Sequence, residues 1–159
     1  MVRLLLACAL ALGLAGGAHA LTPEQARAIA AGDSTEARIA ALNQAVQTAD
    51  ARTAAFVDAL ANDAVKLAGG QVLVVEGERA HDPVTGAAAA LPADAEDVIN
   101  NNLMRAALEA AQAALQLSSA EEPVRLAAAR ALLSEPDASR LPLIEAALAS
   151  EKSPAVRAQ

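Results

Sequence analysis

The chain has 159 residues, 12 Lys+Arg against 19 Asp+Glu, a formal net charge of -7, and one Phe with no Tyr or Trp. That length fits a single domain, and so acidic a chain lacks both the basic surface and the stacking rings that nucleic-acid binding needs. Its one cysteine, Cys8, rules out a disulfide framework and a thiolate metal site.

The first twenty residues read as an address. Met1-Val2-Arg3 is a short positive start, Leu4 to Leu14 is an uncharged Leu/Ala run, and Gly16-Gly17 leads into Ala18-His19-Ala20. A charged start, an apolar stretch and an A-x-A site make up a secretory signal, cut after Ala20. A membrane anchor would need ~20 apolar residues, more than this run holds. Leu5-Leu6-Ala7-Cys8 has the look of a lipoprotein box, but too few apolar residues precede it. Export with cleavage is the expectation, and it removes Cys8.

Alanine makes up 46 positions, and it is the residue with the lowest helix cost. Thr22-Pro23-Glu24-Gln25 predicts a helix start with a capping box, and that helix stops near Gly32. Asp33 or Ser34 caps a second helix, in which Ile39, Leu42 and Val46 recur at helical spacing. A third spans about 50–61, with Phe56, Val57 and Leu60 facing inward. The period then changes. Two β-branched runs over about 64–75 flank Gly69-Gly70, which predicts a hairpin with Val65 opposite Val74 and Leu67 opposite Val72. Both turn positions need positive φ, which glycine takes without a Cβ clash.

About 76–94 reads as loop, with turn chemistry at Asp82-Pro83-Val84-Thr85-Gly86. Asp94 is expected to cap a long helix over about 95–117. Ile99, Leu103, Ala106, Ala110 and Ala114 form one apolar stripe on it; Met104, Leu108, Ala111 and Leu115 form a second. So wide an apolar girth places this helix at the centre of the domain. The last third repeats: Val124-Arg125-Leu126-Ala127 returns as Val156-Arg157-Ala158, 32 residues on, with Pro123 and Pro154 just ahead. Glu36-Ala37-Arg38-Ile39 is a weaker earlier copy. Helix pairs at a fixed period predict a HEAT-like solenoid, mainly α, with one small β-hairpin inserted. Gln159 falls one turn into a helix opened by Pro154, so the reading expects a chain cut at its C-terminal end.

The side chains that carry chemistry are few. His81 is the one histidine beyond the signal, and Asp82 beside it sits in a turn. Serine lies in no G-x-S-x-G elbow. Glu76, Glu78, His81 and Asp82 could be drawn as metal ligands, but one histidine among scattered carboxylates reads better as a solvated acidic loop. The glycines form neither a dinucleotide fingerprint nor a P-loop. Asn100-Asn101-Asn102 is expected to bond nearby backbone or face water. Arg125 and Arg157 are expected to pair with acidic groups such as Glu121, Glu122 or Asp137. No catalytic, cofactor or metal residue is assigned, and the chain is expected not to be an enzyme.

One ordered set of features remains. After the signal and Ala-rich helices come the hairpin and the loop carrying Asp82-Pro83-x-Thr85-Gly86 and Pro92-x-Asp94-Ala95-Glu96-Asp97-Val98. Asn100-Asn101-Asn102-Leu103-Met104-Arg105 follows, then Arg125-Leu126-Ala127-Ala128-Ala129-Arg130-Ala131-Leu132. This resembles the extracytoplasmic N-terminal region of the permease subunit of bacterial urea ABC transporters, in the branched-chain amino acid transporter family. The resemblance implies transmembrane transport of urea or related small solutes from the periplasmic face of the inner membrane. It also implies three kinds of partner: a second permease subunit, a periplasmic substrate-binding protein and cytoplasmic ATPases. The membrane helices of that family are missing from this sequence, so the resemblance describes a fragment, and no translocation residue carries over. The alternative is a free-standing periplasmic HEAT-like interaction scaffold.

Overall fold

The computed structural model describes residues 21–134 and 138–159. The signal expected over 1–20 lies outside them, as does Asp137.

Helix α1 (Pro23–Ala31) opens on the expected capping box: the Thr22 hydroxyl accepts from the Gln25 amide at 3.2 Å, and Gln25 Oε1 accepts from the Thr22 amide at 3.0 Å. Ser34 caps α2 (Thr35–Gln47) through the Ala37 amide. Asp50 caps α3 (Ala51–Ala61), accepting from both the amide and the hydroxyl of Thr53. Those Thr53 donors hold the Asp50 carboxyl below its ordinary range. Leu42, Val46, Phe56, Val57 and Leu60 are buried and Ile39 is half-buried against the core, so the helical periodicity identified these inward faces, and Ile29 of α1 joins them.

Strands β1 (Val65–Ala68) and β2 (Gln71–Glu76) pair in the expected register, Val65 opposite Val74 and Leu67 opposite Val72. Gly69 and Gly70 both have positive φ, 54 and 84, as a primed two-residue turn demands. The remainder corrects the sequence reading. In place of one hairpin followed by a loop there is a five-stranded antiparallel sheet, in the order β4-β3-β2-β1-β5. Strand β3 (Arg79–His81) folds back on β2 through Gly77-Glu78, β4 (Ala88–Ala89) pairs with β3, and β5 (Glu96–Asp97) pairs with β1. Gly77, at φ 63, stands first in its turn, the glycine position of a II′ hairpin.

The expected helix over 95–117 is shorter. Asn101, not Asp94, is its cap, accepting from the Met104 amide at 2.9 Å, and α4 runs Asn102–Gln116. Its expected acidic first turn is strand instead. Asp97 stands opposite Lys66 and forms an ion pair with it, while the Val98 amide reaches the Val65 carbonyl at 3.1 Å. Pairing the free edge of β1 and burying Val98 compete successfully with an extra helical turn. The first apolar stripe consequently fails at its start. Ile99 lies outside the helix and is 77% exposed, and Leu103 is 56% exposed. The second stripe holds: Met104, Leu108 and Ala111 are buried, and Leu115 packs against them.

Helices α5 (Glu122–Ser134), α6 (Leu141–Ser150) and the one-turn α7 (Pro154–Arg157) complete the chain, with a 3-10 turn at Ala138–Arg140 ahead of α6. Helix α4 packs against α2, α3 and α5 and so occupies the centre. Its N-terminal part joins the main core with α1, α2, α3 and the sheet. Its C-terminal part, Ala113 and Leu117, joins Ala128 and Leu132 of α5 in a second, smaller cluster. The fold is therefore mainly α with a small antiparallel sheet.

Candidate functional site

Three places gather polar or exposed apolar groups: a cleft beside the sheet, a buried arginine hub, and a groove among the last helices.

The cleft, about 980 Å³, lies between α3 and strands β2, β3 and β4. Helical spacing brings Arg52, Ala55, Ala59 and Asn62 of α3 to it, one face round from the core residues Phe56 and Leu60. The sheet contributes through strand alternation. Val74, Glu76, Arg79 and His81 share a face, since β2 and β3 pair Val74 with His81 and Glu76 with Arg79. That face is core at Val74 and becomes polar cleft at Glu76 and His81. The charges there balance: Arg52 and Arg79 stand against Asp58 and Glu76. None of the lining side chains is a serine, threonine or cysteine, so His81 has no nucleophile beside it there.

The four residues that could be drawn as a metal site are not brought together. Glu76 stands opposite Arg79, Glu78 sits in the turn, and His81 stands between Val74 and Ala88. Asp82 is committed to its own turn, with Oδ1 accepting from the amides of Val84 at 2.9 Å and Thr85 at 2.7 Å and from the Thr85 hydroxyl at 3.1 Å. Burial alone would raise the Asp82 carboxyl, but those donors from Thr85 and Val84, with Arg52 nearby, hold it below its ordinary range. Among the described residues no group of three or more His, Asp and Glu is placed to hold a metal ion.

The hub was not singled out as a site from sequence. Arg38, 9% exposed, donates from Nε to the Ile29 carbonyl at 2.8 Å, from Nη1 to the Ile99 carbonyl at 2.9 Å, and from Nη2 to Asn100 Oδ1 at 2.7 Å. Burial pushes its guanidinium below the ordinary arginine value. Asn100, also buried, passes the chain on to the Leu60 carbonyl at 3.0 Å and to Asp63. Arg105 closes it with two bonds to the Asp63 carboxylate, 3.0 and 2.8 Å. Asn101 caps α4 and reaches Thr35 Oγ1 at 2.9 Å; Asn102 is exposed. The Asn run thus divides among a buried bridge, a cap and a solvent-facing side chain, and the local backbone bonding expected of it is only part of its role.

Arg125 pairs with an acidic group as expected, though with Glu151 rather than Glu121 or Glu122, and Arg157 bonds carbonyls. Arg125 holds Glu151 with two bonds, 2.6 and 3.0 Å, and donates from Nη1 to the carbonyls of Ser119 at 2.9 Å and Ala120 at 3.1 Å. Arg157 donates to the carbonyls of Leu148 at 2.8 Å and Glu151 at 3.1 Å. Together with Arg38, these are three arginines at the fourth residue of a helix. Arg38 and Arg157 reach back to the Ile29 and Leu148 carbonyls in the last turn of the helix before them. Those carbonyls lack intrahelical donors and lie at the negative end of the helix dipole, so a guanidinium there satisfies and neutralises them together. Arg125 instead reaches loop carbonyls beyond Gln116.

The groove, about 330 Å³, is bounded by Leu117, Leu132, Leu133, Ile144, Leu148 and Val156. Leu133, Leu141, Ile144 and Leu148 are exposed, a concentration of large apolar side chains absent from α1, α2 and α3. The sequence signal for it was the density of leucines there, at Leu132, Leu133, Leu141 and Leu148.

Fold and sites together define a mainly helical domain whose exposed features are a charge-balanced cleft and an apolar groove. Comparison with protein-family models, with curated proteins and with solved structures returns no match.

Proposed function

We propose that residues 21–159 form a HEAT-like helix-pair scaffold, and that the chain is the extracytoplasmic N-terminal region of a permease subunit of an ABC transporter for urea or related small solutes. The recurring arginine carries the scaffold half. Arg125 to Ser119 and Arg157 to Glu151 are the same bond, arginine to the carbonyl six residues earlier, one 32-residue repeat apart. Arg38 to Ile29 and Arg157 to Leu148 likewise share a nine-residue reach. An arginine at the same helix position, sharing one of its carbonyl reaches with another at each of three junctions, is what stacked, repeated helix pairs would produce. The transporter half rests on the resemblance set out above. In this reading the domain sits at the periplasmic face and docks the binding protein or the second permease, and it performs no catalysis.

The reading frame 3′ of the Gln159 codon tests the transporter half directly. A frame continuing into several apolar stretches of membrane-spanning length supports it; an immediate stop codon leaves the free-standing scaffold in its place. In an intact permease carrying this region, deletion of residues 21–159 is expected to lower urea uptake at unchanged permease abundance. Unchanged uptake overturns the docking role.

A further inference from the structure

We propose that helices α5–α7 form an opening arm, a second cooperative unit that comes away from α4 while α1–α4 and the sheet stay folded. The main core draws its side chains from α1, α2, α3, α4 and the sheet, and none from α5, α6 or α7. Helix α5 packs on α4 and α7, and α6 packs on the 3-10 turn ahead of it, so the principal packing between the two ends of the domain runs through α4. The joint is the second cluster, Ala113 and Leu117 against Ala128 and Leu132. Two of those four side chains are single methyl groups. The joint therefore buries far less apolar surface than the main core, and its opening is correspondingly easier.

Polar bonds couple the arm from within. Arg125 of α5 holds Glu151, just beyond α6, with bonds of 2.6 and 3.0 Å. Glu151 Oε1 also accepts from the amides of Lys152 at 2.8 Å and Ser153 at 2.7 Å, and Ser153 caps α7. Arg157 of α7 returns to the Leu148 carbonyl of α6 at 2.8 Å. These bonds make the three helices keep or lose their seat together instead of fraying one by one. Arg125 further holds the carbonyls of Ser119 and Ala120, which places the boundary of the unit at Leu117 and Ser118. Opening uncovers Ala113 and Leu117 on one side and Ala128 and Leu132 on the other. The arm is thus a switch between concealed and exposed apolar surface, and it does not rest on the transporter or the repeat reading.

Freed from α4, helices of 13, 10 and 4 residues are too short to persist alone, so opening is read as lost amide protection. The test is native-state hydrogen exchange of the whole chain, followed by mass spectrometry at increasing sub-denaturing urea. The amides of α5, α6 and α7 are expected to share one opening equilibrium, at least about tenfold more favourable than that of α2, α3 and β2. Leu132→Ala is expected to speed exchange in α5–α7 about tenfold or more and to leave α2 and α3 unchanged. Val46→Ala, in the main core, is expected to do the reverse, lowering protection in α1–α3 and leaving α5–α7 as they were. One level of protection throughout the helices overturns the proposal, as does Leu132→Ala acting equally on both ends, since the domain is then a single unit. Protection that declines steadily from Glu122 to Gln159 also overturns it, because the end is then fraying and no coupled arm exists.

Discussion

Nη2 of Arg38 lies 2.7 Å from Oδ1 of Asn100, joining the first turn of α2 to the entrance of α4 across 62 positions of sequence. Because Asn100 in turn bonds the Leu60 carbonyl, one pair of side chains ties together α1, α2, α3 and α4. Arg38→Ala would leave the Ile29 and Ile99 carbonyls and the Asn100 amide oxygen without donors in or near the core. Unsatisfied buried acceptors are costly, and a loss of about 3 kcal/mol is expected in urea unfolding. Asn100→Ala is expected to cost about 2 kcal/mol, and the double variant less than the two losses combined, since both remove the same bond. Additive losses would mean that the two side chains act independently.

The Gly77 turn is a second test of local geometry. At φ 63 it is in the region that a Cβ disfavours, and a Cβ there would meet nothing within 4 Å. Gly77→Ala therefore isolates backbone conformation from packing, and about 1 kcal/mol of destabilisation is expected. A neutral result in thermal unfolding would show that the β2–β3 turn adopts another geometry in solution.

The contrast between these two positions explains what could be read from the sequence. Local rules located the Thr22 cap, narrowed the second cap to Asp33 or Ser34, and gave the Gly69-Gly70 turn and the β1–β2 register, because each is decided within a few residues. Strand β3 was missed because Arg79–His81 is too short to show alternation, and its one signal, the glycine of Glu76-Gly77-Glu78, resembles loop composition. The start of α4 was misplaced because Asp94, Glu96 and Asp97 look like a helix first turn until Lys66 is known to lie alongside. The Arg38 hub was hidden for the same reason. Nothing near Arg38 in sequence says that Ile99 and Asn100 will be its partners. The residues of the cleft were partly legible, through His81 and its acidic neighbours, but Arg52 reaches it only through the packing of α3 on the sheet.

Acid should weaken the α4–α7 end through Glu151. Its side chain is 6% exposed and accepts from Arg125 and from the amides of Ser153 and Lys152, and Arg125 first, then Ser153, lowers its pKa from 4.5 to about 2. A folded pKa below the unfolded one means stability that is fully present above the unfolded value and lost as pH falls through the folded value. The loss attributable to Glu151 should thus fall between about pH 4.5 and pH 2. Asp50, Asp63 and Asp82 are displaced in the same direction and add to it. Glu151→Gln is expected to lower the thermal midpoint at neutral pH and to converge on the parent as pH approaches about 2. A difference between the two proteins that stays constant down to that pH would assign the effect of the variant to packing instead.

Leu21 links the export reading to the fold. It is the first residue beyond the expected cleavage site, yet only 2% exposed and part of the main core, while the next residue, Thr22, opens the capping box of α1. Cleavage after Ala20 would therefore produce a chain whose first side chain is already structural, with no spare residues ahead of the first helix. The mass of the protein recovered from a periplasmic fraction is expected to match a chain starting at Leu21, and a species that retains residues 1–20 would overturn the export reading. Leu21→Ala, which leaves the Ala18-His19-Ala20 site itself unchanged, is expected to cost about 2–3 kcal/mol through the cavity it opens. Equal stability of the variant and the parent in urea would place Leu21 outside the core in solution, and the start of α1 would then depend on its capping box alone.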